Sequence, residues 1–399
     1  LLLSPCVVKR FKEVTSRETA ERRNKNYKGR VQIMNTHLTK HGKKIIHVVQ
    51  HLAPGGLETL TLDLLRLAKP TDQVLIVSLE GTKQDSINNW PKLKQYQNQI
   101  VFLDKPPGVQ FNIIIKLIKA FNGIQPDVVH THHIGPLLYA GYAARVTGVP
   151  TRIHTEHDAW HLNNSKRRRL QALALKAAQP TLVADATRVY NQLRTAFSYE
   201  NIITIKNGVD CEKFKPMSKE HARANLNLPT DKHIIGCAGR LEHVKGQDQL
   251  IKALTLLPEN MVVAFAGGGT KRNQLEQLTS RLNLSDRVIF LGLVDDMTTF
   301  YGALDTFCLP SRHEGLPLST LEAQACNIPT VAMDVGAVDE TLCPISSTLV
   351  KKGSIIELAN ALLETPNERF LSPRHYVLDN FDIVNMVASY NSISEGAYA

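Results

Sequence analysis

Residues 233–250 read HIIGCAGRLEHVKGQDQL, and this stretch shows how the chain is built. An uninterrupted apolar run at 233–239 is followed by a loop bounded by glycines and then by a helical pattern at 246–257. Apolar runs without alternation are typical of strands in a parallel sheet that is covered on both faces. The stretch therefore predicts one strand–loop–helix unit of an α/β fold.

The same unit repeats along the chain, with a restart after residues 201–216. Strands are predicted at 44–50, 73–79, 99–103, 127–132, 151–157, 261–269, 288–292, 306–310 and 330–334. We expect two doubly wound, Rossmann-like domains that face each other across a cleft, with ligands bound beyond the carboxyl ends of the strands. The predicted parts are a basic, disordered extension (1–43), an N-terminal acceptor-side domain (44–210), a C-terminal donor domain (211–372) and a helical segment that crosses back to the first domain (373–399).

The formal net charge of +10 is concentrated at one end of the chain. Residues 1–44 hold twelve Lys or Arg and three Glu, a surplus of nine, so the rest of the chain carries +1. A near-neutral body argues against nucleic acid as a partner. The six cysteines are scattered without a CxxC pair, which favours a reducing cytoplasm and argues against a disulfide framework. No apolar run reaches 18 residues, so we predict no transmembrane span.

Glycines and cations follow the first strand of each predicted half. Gly55 and Gly56 lie in the loop HLAPGGLE, where a close backbone approach and a helix N-terminus suit an anion. Arg240 and Lys245 follow Gly239, and a planar fork with a mobile point charge suits a diphosphate. The alternative is two solvated surface cations. Their place at the edge of the predicted cleft favours binding.

Two carboxylates lie in the stretch SRHEGLPLSTLE at 311–322, which otherwise looks apolar. Glu314 falls in a loop, and Glu322 falls inside the helix that Pro317 is expected to open. Buried carboxylates cost free energy unless they are paired or hydrogen-bonded. Carboxylates accept hydrogen bonds from hydroxyl groups, so these two predict a ligand with hydroxyls at both ends. With a diphosphate between them, a nucleotide sugar fits this description.

These motifs together resemble glycosyltransferases of family 4, which are retaining enzymes with the GT-B fold. The matching pieces are GGLE, NGVD, GRLEHVKG, AGGG, EGLPLSTLE and DVGAVDE, in the family's order over residues 44 to about 390. The resemblance implies a UDP-sugar as co-substrate and neither a cofactor nor a metal ion. Where family members often carry serine after the strand matching TLVADAT, this chain has Asp185.

The resemblance also implies roles for individual residues. Glu322 would hold the ribose hydroxyls, and Arg240 and Lys245 would bind the diphosphate and stabilise the charge of the leaving group. Glu314 and the backbone N–H groups of Gly315 and Leu316 would hold the donor sugar. Gly55, Gly56 and Gly239 would let the backbone approach the phosphates.

Several histidines lie near the strand ends of the first half. The resemblance places His157 beside the donor sugar, with His132 as a second candidate. His154, inside its strand, is expected to be structural. His130, His132 and His133 alternate between the two faces of a strand, so one metal site cannot use them all and we predict none.

The acceptor is indicated less directly. The segment NNSKRRRLQALALKAA places four cations at the start of an apolar helix, namely Lys166, Arg167, Arg168 and Arg169. They favour an anionic membrane surface and a lipid-linked acceptor, although a solvated helix end and a saccharide acceptor stay open. Two other functions also stay open: a nucleotide-sugar epimerase of GT-B architecture, and a non-catalytic GT-B binding protein.

Overall fold

The computed structural model describes residues 42–364 and 372–396. The predicted basic extension lies, up to residue 41, outside the described residues. Two parallel sheets, of seven and six strands, make up the molecule. The strands of the first sheet are β1 (Lys44–Val49), β2 (Gln73–Ser78), β3 (Ile100–Phe102), β4 (Val128–His132), β5 (Thr151–Glu156), β6 (Thr181–Ala184) and β7 (Ile202–Thr204). Those of the second are β8 (His233–Ala238), β9 (Met261–Ala266), β10 (Val288–Gly292), β11 (Thr306–Leu309), β12 (Thr330–Met333) and β13 (Ser347–Val350).

Helices separate nearly all the strands, as parallel connections require. Those of the first half are α1 (Gly56–Arg66), α2 (Lys83–Asn89), α3 (Phe111–Ile124), α4 (the consecutive segments Ile134–Pro136, Leu137–Gly141 and Tyr142–Val146), α5 (Ser165–Ala178) and α6 (Thr187–Ala196). Those that follow are α7 (Lys219–Asn225), α8 (Gln247–Leu254), α9 (Arg272–Arg281), α10 (Met297–Gly302), α11 (Leu318–Ala325), α12 (Ile355–Leu363), α13 (Pro373–Phe381) and α14 (Ile383–Ser394). Among the described residues, no helix is both long and apolar enough to cross a membrane.

The strand orders are β3-β2-β1-β4-β5-β6-β7 and β10-β9-β8-β11-β12-β13. Each sheet therefore begins at its centre and reverses direction between its first strand and the fourth, which is the doubly wound Rossmann arrangement. The predicted fold class is confirmed. The reversal points lie between β1 and β4 and between β8 and β11, and the loops beyond these strands hold the candidate residues.

The last helix packs on the first sheet. Ile383, Met386 and Tyr390 of α14 share one buried cluster with Val128 and Ile153 of β4 and β5. The chain thus returns from the second half to the first after α13. This places apolar side chains of α14 beneath the centre of the first sheet.

The return is fixed by backbone hydrogen bonds to the segment that joins the two halves. The N–H of Val209 donates to the carbonyl of Phe381 at 2.8 Å, and the N–H of Ile383 donates to the carbonyl of Val209 at 3.1 Å. A Cβ added at Gly208 would lie 2.6 Å from the Cα of Ile383. The NGVD motif is therefore the point where two chain crossings touch, and glycine permits the contact.

Candidate active site

Lys245 and Glu314 form an ion pair at the carboxyl edge of the second sheet. The Nζ of Lys245 lies 2.7 and 2.9 Å from the two carboxylate oxygens of Glu314, and the hydroxyl of Ser311 donates to Oε1 at 2.6 Å. The Glu314 side chain is 7% exposed. The pair joins the loop after β8 to the loop after β11 and so neutralises the carboxylate.

Arg240 lies next to this pair on the loop after β8. Its side chain is exposed and makes no ion pair with any residue that the structure describes. Gly239 before it has φ +142°, a conformation that side chains rarely adopt. Gly246 closes the loop with φ +66°, and a Cβ there would lie 2.1 Å from the carbonyl oxygen of Pro310. The loop is thus shaped by its glycines and presents a free guanidinium to the cleft.

Glu322 lies in α11 and is held by a tyrosine from a neighbouring helix. The hydroxyl of Tyr301, which is fully buried, donates to Oε2 of Glu322 at 2.6 Å. Burial raises the pKa of Glu322, and the tyrosine hydrogen bond opposes this effect. Oε1 makes no hydrogen bond with the described part of the chain, which leaves an acceptor for a ligand. The helix begins at Leu318 with Pro317 as its N-cap, one residue later than predicted.

The loop of Glu314 touches the first half of the molecule. A Cβ added at Gly315 would lie 1.9 Å from the carbonyl oxygen of His157, so glycine is required for this contact. Leu316 is buried behind it. On the other side of the cleft, a Cβ at Gly56 would lie 3.6 Å from the side chain of Leu318. The two halves therefore meet across the cleft at Gly56 and Gly315.

Unlike Gly239 and Gly246, Gly55 has an extended backbone, at φ −169°. Any residue adopts that conformation. A Cβ at Gly55 would instead meet the Oε2 of Glu58 at 2.3 Å. Gly55 thus leaves space for the Glu58 carboxylate, although the flexible Glu58 side chain could shift to make room for a Cβ.

His157 lies at the end of β5, where its ring is enclosed by protein. Its Nδ1 lies 3.4 Å from Oδ2 of Asp185, and its Nε2 lies 3.2 Å from Nδ1 of His132. The same Asp185 oxygen accepts a hydrogen bond from Asn207 at 2.9 Å. Burial lowers the pKa of His157 to about 3, so the ring is neutral. Both ring nitrogens thus have protein partners within the first half. The carbonyl oxygen of His157, and not its ring, contacts the loop of Glu314 at Gly315.

Two neighbouring histidines behave differently from each other. His154 is fully buried inside β5, with Nδ1 3.0 Å from the hydroxyl of Thr131, which is the structural position expected for it. His133 has φ +65°, which is costly for a residue other than glycine, about 1–3 kcal/mol. Its Nδ1 lies 3.6 Å from Oε1 of Glu156. Burial favours the neutral form of His133, but Glu156 outweighs it and raises the pKa.

His133, Asp185 and Tyr301 are thus site residues for which the sequence analysis proposed no role. For His133 the only signal was its place directly after a strand end. Asp185 was noted only as a departure from the usual serine. Tyr301 gave no signal at all.

Charged contacts hold the two halves together beside the site. The carboxylate of Glu340 accepts hydrogen bonds from the backbone N–H groups of Thr187 and Arg188 at 2.9 and 2.7 Å, which caps the N-terminus of α6. Lys206 lies 3.2 Å from the same carboxylate. The guanidinium of Arg188 donates to the carbonyl of Gly336 in the second half. These bonds close the cleft on this side.

A cavity of about 160 Å³ lies between the halves, beyond Gly315. Trp160 and His313 line it from opposite sides, with ring centroids 6.4 Å apart. Asp158 and Gln192 add polar groups. The cavity therefore offers an aromatic face and hydrogen-bonding groups close to the loop of Glu314.

Two facing Rossmann-like halves, with a cation–carboxylate pocket at the edge of the second, define a GT-B enzyme. Residues 54–213 match the family model described as Glycosyltransferase Family 4, and residues 218–375 match the one described as Glycosyl transferases group 1. The chain therefore belongs to the family 4 glycosyltransferases.

Curated relatives support this assignment. The chain is 27% identical over 300 residues to the UDP-Gal:alpha-D-GlcNAc-diphosphoundecaprenol alpha-1,3-galactosyltransferase of Escherichia coli, covering 69% of this chain and 76% of the relative. It is 30% identical over 267 residues to the D-inositol 3-phosphate glycosyltransferase of Mycolicibacterium smegmatis, covering 60% of this chain and 59% of that relative.

Solved structures share the fold. HepE of Anabaena in complex with UDP superposes with a TM-score of 0.77 at 20% identity, covering 88% of this chain and all of that chain. A glycosyltransferase of Rickettsia africae superposes with a TM-score of 0.75 at 21% identity, covering 90% of this chain and 99% of that one. At these identities the likeness concerns the fold alone.

Proposed function

We propose that this glycosyltransferase is a retaining enzyme that moves a sugar from a UDP-sugar to a lipid-linked or saccharide acceptor in surface-polysaccharide or glycoconjugate biosynthesis. One observation carries the proposal. Lys245 pairs with Glu314 beside the free guanidinium of Arg240, and Glu322 keeps one unpaired oxygen on the same sheet edge. Two cations and two carboxylates thus lie along one sheet edge, and they would complement the diphosphate and the hydroxyl groups of a nucleotide sugar.

The pair between Lys245 and Glu314 gives the donor site its chemistry. When a diphosphate binds, its oxygens compete with Glu314 for the Lys245 ammonium, and the released carboxylate accepts hydrogen bonds from sugar hydroxyls. Glu322, held by Tyr301, accepts from the ribose. As the glycosidic bond breaks, Arg240 and Lys245 stabilise the negative charge that grows on the leaving diphosphate. Since two cations balance the diphosphate, we propose that transfer requires no metal ion there.

Retention through a covalent intermediate would need a free carboxylate on the far face of the sugar. Asp158 is the carboxylate that follows His157, and its Oδ1 is paired with Nδ1 of His161 at 3.0 Å. An ion-paired carboxylate is a weaker nucleophile. We therefore propose that the acceptor attacks the sugar from the same face as the departing leaving group. No protein nucleophile takes part.

The names of the relatives bear on the donor and the acceptor. The Escherichia coli relative is named for UDP-Gal and a diphosphoundecaprenol-linked acceptor. Another relative, 28% identical and from Corynebacterium glutamicum, is named as a GDP-mannose-dependent mannosyltransferase acting on a phosphatidylinositol monomannoside. Both names include a lipid-linked acceptor, which supports that acceptor class for this chain. We propose a UDP-linked donor, and the thermal-shift panel also includes GDP-sugars.

Exposed apolar and basic residues support contact with an anionic membrane surface. Lys166 to Arg169 are exposed at the start of α5, next to the exposed side chains of Leu170 and Leu173. Helix α4 packs beside α5 and exposes Tyr142 and Val146. A cation near an anionic lipid surface contributes about 1 kcal/mol. We propose that this face rests on the cytoplasmic side of the membrane and presents the cleft to a lipid-linked acceptor.

The family assignment favours transfer over the two alternatives. An epimerase of GT-B architecture would require catalytic groups in a different arrangement. A binding protein that had lost catalysis would have no need to keep Arg240, Lys245, Glu314 and Glu322 together at one edge. We therefore retain transfer as the function.

A thermal-shift panel of UDP-, GDP- and ADP-sugars without metal tests the donor site. A ligand at about 100 times its Kd adds about 2.7 kcal/mol to the stability of the folded chain. We expect one UDP-sugar to stabilise the intact protein and to lose its effect in Glu322→Ala and Lys245→Ala. Lys252→Ala, at an exposed pair with Asp248, is the matched control. If no nucleotide sugar shifts the transition of the intact protein, the proposed donor site is wrong.

Co-sedimentation with vesicles tests the membrane face separately. Vesicles containing an anionic lipid should sediment the intact protein, and reversing the four charges at 166–169 should release it. Equal sedimentation of both proteins would contradict the proposed surface. Neutral vesicles serve as the control for apolar contact alone.

A further inference from the structure

Three histidines converge inside the first half, on strands β1 and β4. His47 pairs in register with His130, and His132 follows two residues later on the same face of β4. The ring centroids lie 5.1 Å (His47–His130), 5.8 Å (His47–His132) and 4.1 Å (His130–His132) apart. One ligand nitrogen from each ring lies within 4.8 Å of the others. His47 of β1 therefore joins His130 and His132 of β4 in a group of three that β4 alone could not form.

The group is buried, and two of its ring nitrogens lack a hydrogen-bond partner among the described residues. The three residues are 0–5% exposed. Nδ1 of His47 and Nε2 of His132 make no hydrogen bond in the described part of the chain. An unsatisfied buried polar group costs about 1–3 kcal/mol. Two such groups on rings of one cluster favour a site that accommodates something the protein itself does not supply.

The ring chemistry suits a metal ion. Each neutral imidazole keeps a lone pair on one of its two nitrogens. Neutral imidazole is a preferred ligand of zinc, copper and nickel ions.

We propose that His47, His130 and His132 form a binding site for one transition-metal ion, Zn²⁺ in the first instance. Three protein nitrogens with a water molecule in the fourth position complete a tetrahedral zinc site. Tetrahedral bonds of about 2 Å place the nitrogens about 3.3 Å apart. Rotation of the imidazole rings must therefore bring the nitrogens closer by up to about 1.5 Å. This site is separate from the diphosphate pocket, where transfer is proposed to need no metal.

Hydrogen-bond partners are present behind two of the three ligands. Nε2 of His130 lies 2.8 Å from the hydroxyl of Thr155, which in turn lies 3.0 Å from the hydroxyl of Tyr390. This leaves Nδ1 of His130 for the metal ion. Metal-binding histidines usually donate their other N–H in this way, which fixes the tautomer and orients the ring.

The second ligand connects the site to His157. Nδ1 of His132 lies 3.2 Å from Nε2 of His157, whose Nδ1 lies 3.4 Å from Asp185. Nε2 of His132 is then directed to the metal ion. A bound ion would polarise this chain of rings, which ends at Asp185. The order His132–His157–Asp185 therefore links the metal site to the cleft.

Metal binding is measured directly on the full chain, with no assay of transfer. The protein is stripped with chelator, titrated with CoCl₂ and ZnCl₂, and followed by the visible bands of tetrahedral Co²⁺ and by metal content after dialysis. We expect one equivalent of Co²⁺, displaced by one equivalent of Zn²⁺. Loss of a ligand in His47→Gln or His132→Gln should weaken binding by more than the about 10–100-fold that loss of an outer partner costs.

Two further variants keep the test decisive. His221→Gln, at an exposed histidine of α7, should bind metal as the intact chain does. His130→Gln provides a third ligand substitution, and circular dichroism identifies any variant that fails to fold. The proposal is wrong if the stripped chain takes up less than one equivalent, or if uptake survives in the folded ligand variants.

Discussion

Removing the ammonium of Lys245 should destabilise the second half of the molecule. Lys245→Met leaves the Glu314 carboxylate, 7% exposed, with Ser311 as its one remaining partner among the described residues. Breaking a buried pair costs about 3–5 kcal/mol, whereas an exposed pair contributes about 0–1 kcal/mol. Lys245 is 25% exposed, so we expect a loss of about 2 kcal/mol, between these limits.

The pair is tested by a double-mutant cycle with thermal and denaturant unfolding. A loss of about 2 kcal/mol corresponds to a Tm decrease of about 4–8 °C for a unit of this size. Glu314→Gln alone keeps an amide that still accepts from Ser311, and Lys245→Met/Glu314→Gln should recover most of the lost stability. Lys252→Met, at an exposed pair, should change stability by less than about 0.5 kcal/mol. A neutral Lys245→Met variant, or a double variant as unstable as the single one, would refute the reasoning.

Three other substitutions give distinct outcomes. Tyr301→Phe removes the hydroxyl that donates a hydrogen bond to Glu322. A hydrogen bond to a charged group contributes about 1.5–3 kcal/mol, so the UDP affinity measured by titration should fall about 10-fold or more. Glu340→Gln weakens the cap across the cleft by about 1 kcal/mol, which should raise donor KM more than it lowers kcat and increase the radius of gyration in small-angle scattering. Burial opposes the charge of His161, but Asp158 outweighs it and raises the pKa to about 9. The free energy of unfolding that this pair contributes is therefore fully present below pH 6.5 and lost as pH rises through about 9. In urea unfolding, His161→Asn should no longer show this decrease in stability between pH 6.5 and pH 9.

Each of these three has a control. Tyr376→Phe removes a hydroxyl that donates to a backbone carbonyl at 3.3 Å and should leave UDP affinity unchanged. Glu357→Gln alters a carboxylate that accepts within the second half and should not change the radius of gyration. His221→Asn should retain the pH dependence of the intact chain. If a control variant gives the same result as the test variant it is paired with, the role assigned to the tested residue is wrong.

Much of the fold followed from local pattern. Apolar runs without alternation marked the buried parallel strands, because a strand covered on both faces has no solvent side to mark. The placing of Lys245 and Glu314 at one pocket also followed, since parallel strands bring the loops at their carboxyl ends to one edge. The ion pair between them was not predicted. These residues lie 69 positions apart, yet the topology alone brings them close.

The parts that were missed depend on contacts that local pattern does not encode. Tyr301 lies among the buried aromatic residues of α10 and looked like core, and its role appears only when α10 packs beside α11. His47 lies in the middle of an apolar strand, and its meeting with His130 depends on β1 and β4 being neighbours. Asp185 and His133 likewise gain partners from adjacent strands. Tertiary packing decides all four: strand order and register for His47, Asp185 and His133, and helix packing for Tyr301.

The central claim is that a nucleotide diphosphate binds at the edge of the second sheet. Isothermal titration of UDP, without metal, into the intact chain and into Lys245→Met and Glu322→Ala tests it most directly. The account predicts binding of one UDP per chain and at least a 10-fold weaker affinity in each variant, about 1.4 kcal/mol or more. Equal affinity in all three proteins, or no binding of UDP to the intact chain, would contradict it.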